Sequence, residues 1–253
     1  MKIKSILLVL FFGLFFVGCM PKQDDVKNVF QSESANIIKR DYQKNQKLLI
    51  SFKEKLDKRN PKAYDEKLEK KIYNLIKNSD KTLYLKYNKR VLDNYKDYLQ
   101  LAFTKDKLSA RNDYLILGLY YLLYDAYDIS DGHKVLALAY DKEKLHKLHK
   151  NLQILKWKIK VDRDLDNNYL FLTWQNNWQI ELERKINNSE EITYEDIQNL
   201  SYIKNNKETL LDRSNFTFEV TLTKMIYNVE NTLFALGEEP KKLALDAVFF
   251  LFI

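Results

Sequence analysis

Cysteine is almost missing from this chain of 253 residues: there is one, Cys19. A single thiol forms no internal disulfide, and it rules out thiolate zinc clusters, iron–sulfur clusters and covalent c-type haem attachment. Glycine and proline are nearly as scarce, at five and three. That scarcity disfavours a turn-rich β fold and favours helices. The chain also lacks a Gly-rich phosphate loop, a Gly-x-Ser-x-Gly elbow and a His-Glu-x-x-His helix, and it has no internal repeat or low-complexity segment. These absences point away from the common enzyme classes, and nothing in the sequence calls for a cofactor. Neither sign of charge dominates: 42 basic against 35 acidic side chains give a formal charge of +7. Lysines far outnumber arginines and Asn, Ile, Tyr and Phe are frequent, in keeping with the codon bias of an AT-rich genome. The positive excess is therefore only weak evidence for an acidic partner.

What is present begins with Lys2 and Lys4, followed by an apolar run from Ile6 to Val17 and then Gly18 and Cys19. Two lysines ahead of about a dozen apolar residues make a signal peptide. The run is too short to span a bilayer, which takes about 20 residues. Phe16-Val17-Gly18-Cys19 resembles the lipobox of bacterial lipoproteins, with Phe16 where that class usually has Leu. The resemblance covers residues 1–19 and implies that Cys19 is diacylated and becomes the first residue after cleavage. The bilayer is then a partner through acylated Cys19, and nucleic acid is excluded because the chain is exported. Met20 stands where an Asp would retain an enteric lipoprotein at the inner membrane, so the expected location is the outer membrane, facing the periplasm. The resulting division is a signal peptide over 1–18, a lipidated tether over 19–34 and a helical domain over 35–253.

Within the domain, Ile38, Tyr42, Leu49, Phe52 and Leu56 recur at helical spacing up to Pro61. Tyr64, Leu68, Ile72 and Leu75 predict a second helix to Asn78. Ser79 and Asp80 then read as caps of a third, carrying Leu83, Tyr87, Val91, Tyr95 and Leu99. Residues 114–124 are apolar or aromatic apart from Gly118, the mark of a helix covered on all sides. Gly132 breaks the chain. Leu145, Leu148, Leu152 and Leu155 predict the next helix, and Leu170, Trp174, Trp178 and Leu182 another, with 162–168 as the turn between. A competing reading makes a small β-hairpin near 157–174, with Trp157, Ile159 and Val161 in its first strand. Thr193 with Asp196 resembles a capping box. Helices over 215–236 and from Pro240 onward close an all-α, multi-helix bundle.

Four groups of residues could carry chemistry. His146 and His149 lie three apart on a predicted helix with His133 upstream, so they are candidate metal ligands, although two solvated histidines beside Lys147 and Lys150 are the simpler account. Asp162, Asp164 and Asp166 open like a calcium loop, but Thr173 stands at the twelfth position and Asn167 replaces Gly. Trp174 and Trp178, interleaved with amides, could stack on a glycan; two tryptophans four apart more often share a core face. Tyr114, Tyr120, Tyr121, Tyr124 and Tyr127 could line a pocket for a hydrophobic ligand or simply pack. The terminal run Val248–Ile253 is either a docked last turn or an exposed patch.

The chain as a whole resembles small lipoproteins of Campylobacter-like bacteria, on the lipobox, the composition and the block Tyr169-Leu170-Phe171-Leu172-Thr173-Trp174. That resemblance implies no activity. The expectation is a membrane-anchored envelope lipoprotein with a structural, assembly or partner-binding role, the partner being an envelope protein. The alternatives are a glycan- or hydrophobic-ligand-binding module and, third, a metal-dependent enzyme.

Overall fold

The computed structural model describes residues 23–175, 177–188, 191–205 and 218–241. Cys19 and the run Val248–Ile253 lie outside them. The architecture is all-α. Helix α1 (Gln23–Arg59) is 37 residues long, about 55 Å. It already covers most of the segment read as a tether, and Gln31 Oε1 accepts the Leu138 N–H at 3.0 Å, tying that segment to the body. Then come α2 (Glu66–Asn78), a hairpin of β1 (Lys86–Tyr87) and β2 (Arg90–Val91), α3 (Tyr95–Ala102) and α4 (Arg111–Ala126). After two 3₁₀ turns follow α5 (Lys142–Val161), α6 (Asn177–Asn187), α7 (Tyr194–Gln198), α8 (Ser201–Lys204) and α9 (Phe218–Ala235).

Four of these helices make the core. α1 packs on α4, α4 on α5, α5 on α9, and α9 back on α1, a closed ring of neighbours that defines a four-helix bundle. α3 packs on the outer side of α4, across the bundle from α9. The α1 contribution is the predicted one: Ile38, Tyr42, Leu49, Phe52 and Leu56 are all buried. α4 is covered nearly all round, as its apolar run requires, with only Asp125 partly open. The leucines at 145, 148, 152 and 155 bury the core face of α5.

Two stretches differ from the sequence reading. No helix starts at Ser79. Its φ of 57° makes it the left-handed C-cap of α2, and its Oγ accepts from Gln46 Nε2 at 2.7 Å. The chain beyond is held extended by α4: Tyr120 and Tyr121 donate their hydroxyls to the carbonyls of Asp80 and Leu83. Asn88 and Lys89, at φ 49° and 67°, supply the turn of a two-residue hairpin, and Asn94 then caps α3.

The second difference is 157–174. Trp157, Ile159 and Val161 are helical, so the proposed strand is absent; the turn at 164–168 closes only a single antiparallel bridge, Arg163 to Tyr169. The helix expected from Leu170 begins at Asn177 instead. Asn60 explains the delay: its Oδ1 accepts the Leu172 N–H at 2.9 Å and its Nδ2 donates to the Leu172 carbonyl at 3.3 Å. A backbone held by tertiary bonds is not free to bond within a helix. The capping box at Thr193 forms as read.

Gly118 sets the closest approach in the core. A Cβ there would stand 2.6 Å from Leu99 Cδ2 and 3.2 Å from the Leu99 backbone nitrogen. Gly118→Ala therefore pushes α3 off α4. The expected cost, about 1–3 kcal/mol for overpacking, exceeds the gain of about 1 kcal/mol in helix propensity. Urea unfolding reads it as a lower midpoint at unchanged slope.

Candidate functional site

Where α9 crosses α1, the side chains segregate by chemistry. The crossing is fixed by an amide pair, Asn228 Nδ2 donating to Asn45 Oδ1 at 2.9 Å in the buried interior. Thr232 continues the lock, its Oγ1 lying 3.2 Å from the buried Tyr127 hydroxyl. Above this layer lies an open groove of about 290 Å³ lined by Lys44, Lys47, Leu48, Lys224, Tyr227 and Asn228. Its floor is apolar and its rim carries three ammonium groups. Lys44 is matched by the buried Asp41 carboxylate at 2.9 Å. Lys47 and Lys224 have no ion-pair partner among the described residues.

The groove is part of a longer face. Arg40, Lys44 and Lys47 follow one another at spacings of four and three on the exposed side of α1. Along α9, Val220, Tyr227 and Phe234 repeat every seven residues and are 47%, 60% and 60% exposed. The acids of α9 turn the other way, toward α5: Glu219 lies 3.3 Å from Lys156 and Glu230 3.1 Å from His149. A second cavity, about 300 Å³ between α4 and α5, is lined by Tyr95, Asp125, Asp128 and Lys144 among others. Its carboxylates are already spent, Asp125 on Lys81 and Asp128 on Lys144.

The structure separates the histidines. His146 Nε2 lies 3.4 Å from Glu238 Oε2, whose carboxyl is held below its usual range by Lys142 and then His146. His149 Nε2 reaches Glu230, and Gln153 donates to its Nδ1 at 3.1 Å. His133 stands apart, edge-on to Tyr42 at 5.5 Å; burial, then the charge of Lys39, lowers its pKa. Among the described residues no three His, Cys, Asp or Glu side chains are grouped so as to hold a metal ion. The three aspartates also diverge: Asp162 pairs with Lys158, Asp166 with Lys107, and Asp164 accepts the N–H groups of Asp166 and Asn168.

Trp174 and Trp178 do not share a helix, since α6 begins at Asn177. Both are half-buried, and the Lys160 ammonium lies 5.2 Å from the centre of the Trp174 ring. The tyrosines are core: Tyr114, Tyr120, Tyr121, Tyr124 and Tyr127 are buried. Burial raises the pKa of each of them. The groove lysines and the apolar stripe of α9 escaped the sequence reading. Their signal is the spacing of seven at Val220, Tyr227 and Phe234, hidden because α9 has a second apolar face, with Leu222, Met225, Val229 and Leu233. No protein-family model, curated protein or solved structure matches the chain.

Proposed function

We propose that this chain is a lipid-anchored bacterial envelope protein, non-enzymatic, with a structural, assembly or partner-binding role. The observation that carries the reading is the junction at Gly18-Cys19, where the single cysteine of the chain follows a charged and apolar leader of signal-peptide length. Two or three acyl chains hold a protein on its membrane far more firmly than one, since each buried CH₂ contributes about 0.8 kcal/mol. Among the described residues no helix is long and apolar enough to cross a membrane, in keeping with attachment by lipid. Met20 favours the outer membrane, with the body in the periplasm.

Gln23, already helical in α1, gives this reading a geometry. Four residue steps from Cys19 reach at most about 14 Å, so the body stays close to the acylated residue. The face it offers for binding is the one between α1 and α9, where cations and apolar side chains are exposed together.

Envelope fractionation tests the reading. The wild-type chain is expected to stay with the outer-membrane fraction through a high-salt wash, and Cys19→Ser is expected to be released by it. Wild-type protein released by salt, or Cys19→Ser resisting it, would overturn the proposal.

A further inference from the structure

The arrangement between α1 and α9 has the composition of a membrane-contact surface. Arg40, Lys44, Lys47 and Lys224 supply cations on adjoining exposed faces of the two helices, and Leu48, Val220, Tyr227 and Phe234 supply apolar surface among or beside them. We infer that this face lies directly on the anionic lipid surface of the membrane that holds the protein, with the lysines on headgroup phosphates and the Tyr227 and Phe234 rings at headgroup depth. The inference deepens the envelope reading above by naming the partner of that same face.

Charge and polarity select this occupant. An apolar partner alone would leave Lys47 and Lys224 without counterions, and a purely anionic solute would leave the apolar stripe in water. An anionic bilayer answers both, because basic residues are attracted to acidic headgroups while aromatic side chains settle at the interface. The sorting of charge across α9 agrees. Glu219 and Glu230 lie on the α5 side, paired with Lys156 and His149, so the side of the helix facing the groove presents Lys224 as its charged group. On α1, the exposed acids Glu33 and Glu54 lie outside the stretch 40–47, within which Arg40, Lys44 and Lys47 are the charged residues on this side. Asp41, within that stretch of α1, is buried and engages Lys44.

Geometry makes contact feasible. The basic stretch of α1 lies some 17–24 residues beyond Gln23, about 25–36 Å along the helix axis. With at most about 14 Å of chain between Cys19 and Gln23, the face reaches the lipid only when α1 lies along the surface. An upright α1 would carry the lysines out of headgroup range, beyond the Debye length of about 8 Å. The face thus fixes the orientation of the body as well as its contact.

The test uses the full chain carrying Cys19→Ser, which cannot be acylated and contains no other cysteine. An environment-sensitive fluorophore is placed at Tyr227→Cys or, as the control, at Val91→Cys on the hairpin. Both chains share the leader and the C-terminus, so any difference between the two labels belongs to the face. Vesicles of phosphatidylcholine are compared with vesicles containing phosphatidylglycerol.

The expected result is a blue shift of the label at 227 on the anionic vesicles, reversed by salt and absent at 91. Lys47→Gln combined with Lys224→Gln is expected to weaken partitioning about 30-fold. Both side chains are exposed and, among the described residues, without an ion-pair partner, so the helical circular-dichroism signal of that variant should match the parent. Equal shifts at both positions, equal response to neutral vesicles, or no effect of the two substitutions would overturn the inference. So would a label at 227 that ignores vesicles but is shielded in crude envelopes, which would make the partner a protein. None of these failures bears on Cys19: fractionation can succeed while the vesicle assay fails, and the reverse.

Discussion

Lys53→Met is expected to lower the unfolding free energy by about 3–5 kcal/mol, the range for removing one partner of a buried ion pair. Lys53 is fully buried, with Nζ 2.6 Å from Asp57 Oδ2 and 3.2 Å from Asp113 Oδ1. The rings of Tyr64 and Tyr73 close around it, their centres 5.3 and 5.7 Å from the ammonium. The carboxylates are held from other sides too: Asn112 Nδ2 donates to Asp57 Oδ1 at 2.9 Å and the Asp65 N–H to Asp113 Oδ2 at 2.7 Å. One cation thus joins α1, the α1–α2 turn and the first turn of α4. Without it, two carboxylates stay in the interior with hydrogen bonds but no charge partner.

The pH dependence of that deficit follows in sign. Burial pushes the Asp113 carboxyl up, and the Asp65 N–H and Lys53 only partly offset it. A carboxyl raised in the fold keeps its proton where the unfolded chain has released it, so stability falls as pH rises from the ordinary to the raised value. Removing Lys53 removes a lowering influence and widens that window. The deficit of Lys53→Met should therefore shrink as the solution is acidified into the carboxylate range. A variant as stable as wild type at neutral pH in urea unfolding would show that the cluster is not held together by its cation.

Arg111→Met should cost about 2–4 kcal/mol, through carbonyls left without a donor. Arg111 Nη1 donates to the carbonyls of Ala102 and Thr104, both at 2.7 Å, and Nη2 to that of Asp106 at 2.5 Å. These are the free carbonyls at and just past the end of α3, which a helix leaves unpaired unless something caps them. A side chain from the start of α4 does so, and joins α3 to α4 at the same time. Burial lowers the pKa of this guanidinium while Asp164 and Asp106 raise it, and an arginine stays charged under either influence. Arg111→Lys should recover only part of the loss, because one ammonium cannot reproduce the planar fork. Hydrogen exchange localises the effect. The N–H groups of Phe103 and Thr104, bonded to the carbonyls of Leu99 and Leu101, should exchange faster in Arg111→Met, and unchanged protection there would contradict the assignment.

Neither Lys53 nor Arg111 stands out in the sequence, and the reason is physical. Lys53 neighbours Phe52 on a helix with many exposed lysines, and only the approach of α4 turns its side into an interior. The parts of the fold that could be read are those settled by a helix's own period. Ile38 through Leu56, the apolar run of α4 and the leucines of α5 each mark one face or all faces of a single element, and Thr193 with Asp196 is a contact over three residues. Residues 79–94 and 170–175 could not be read that way. Leu83, Tyr87 and Val91 keep helical spacing, but the Tyr120 and Tyr121 hydroxyls and the left-handed Ser79, Asn88 and Lys89 impose another path. Leu170 and Trp174 keep it too, and Asn60 overrides it.

The face proposed for lipid contact was hidden for a related reason. α9 carries apolar residues on two opposite faces, separated by polar ones, so in sequence Val220, Tyr227 and Phe234 look no different from Leu222, Met225, Val229 and Leu233. Only packing against α1 and α5 sorts the second set inward and the first outward. The sequence motif with the strongest functional meaning, the junction at Cys19, is conversely one to which the fold adds only a distance, the short reach to α1.

The most direct test of the account is metabolic labelling with a palmitate analogue in a bacterium that processes lipoproteins. The wild-type chain should incorporate the label and run at the size of the form cleaved before Cys19, and Cys19→Ser should incorporate none and keep its leader. Label retained by Cys19→Ser, or a wild-type chain that takes up none, would contradict the lipid-anchored envelope protein proposed above.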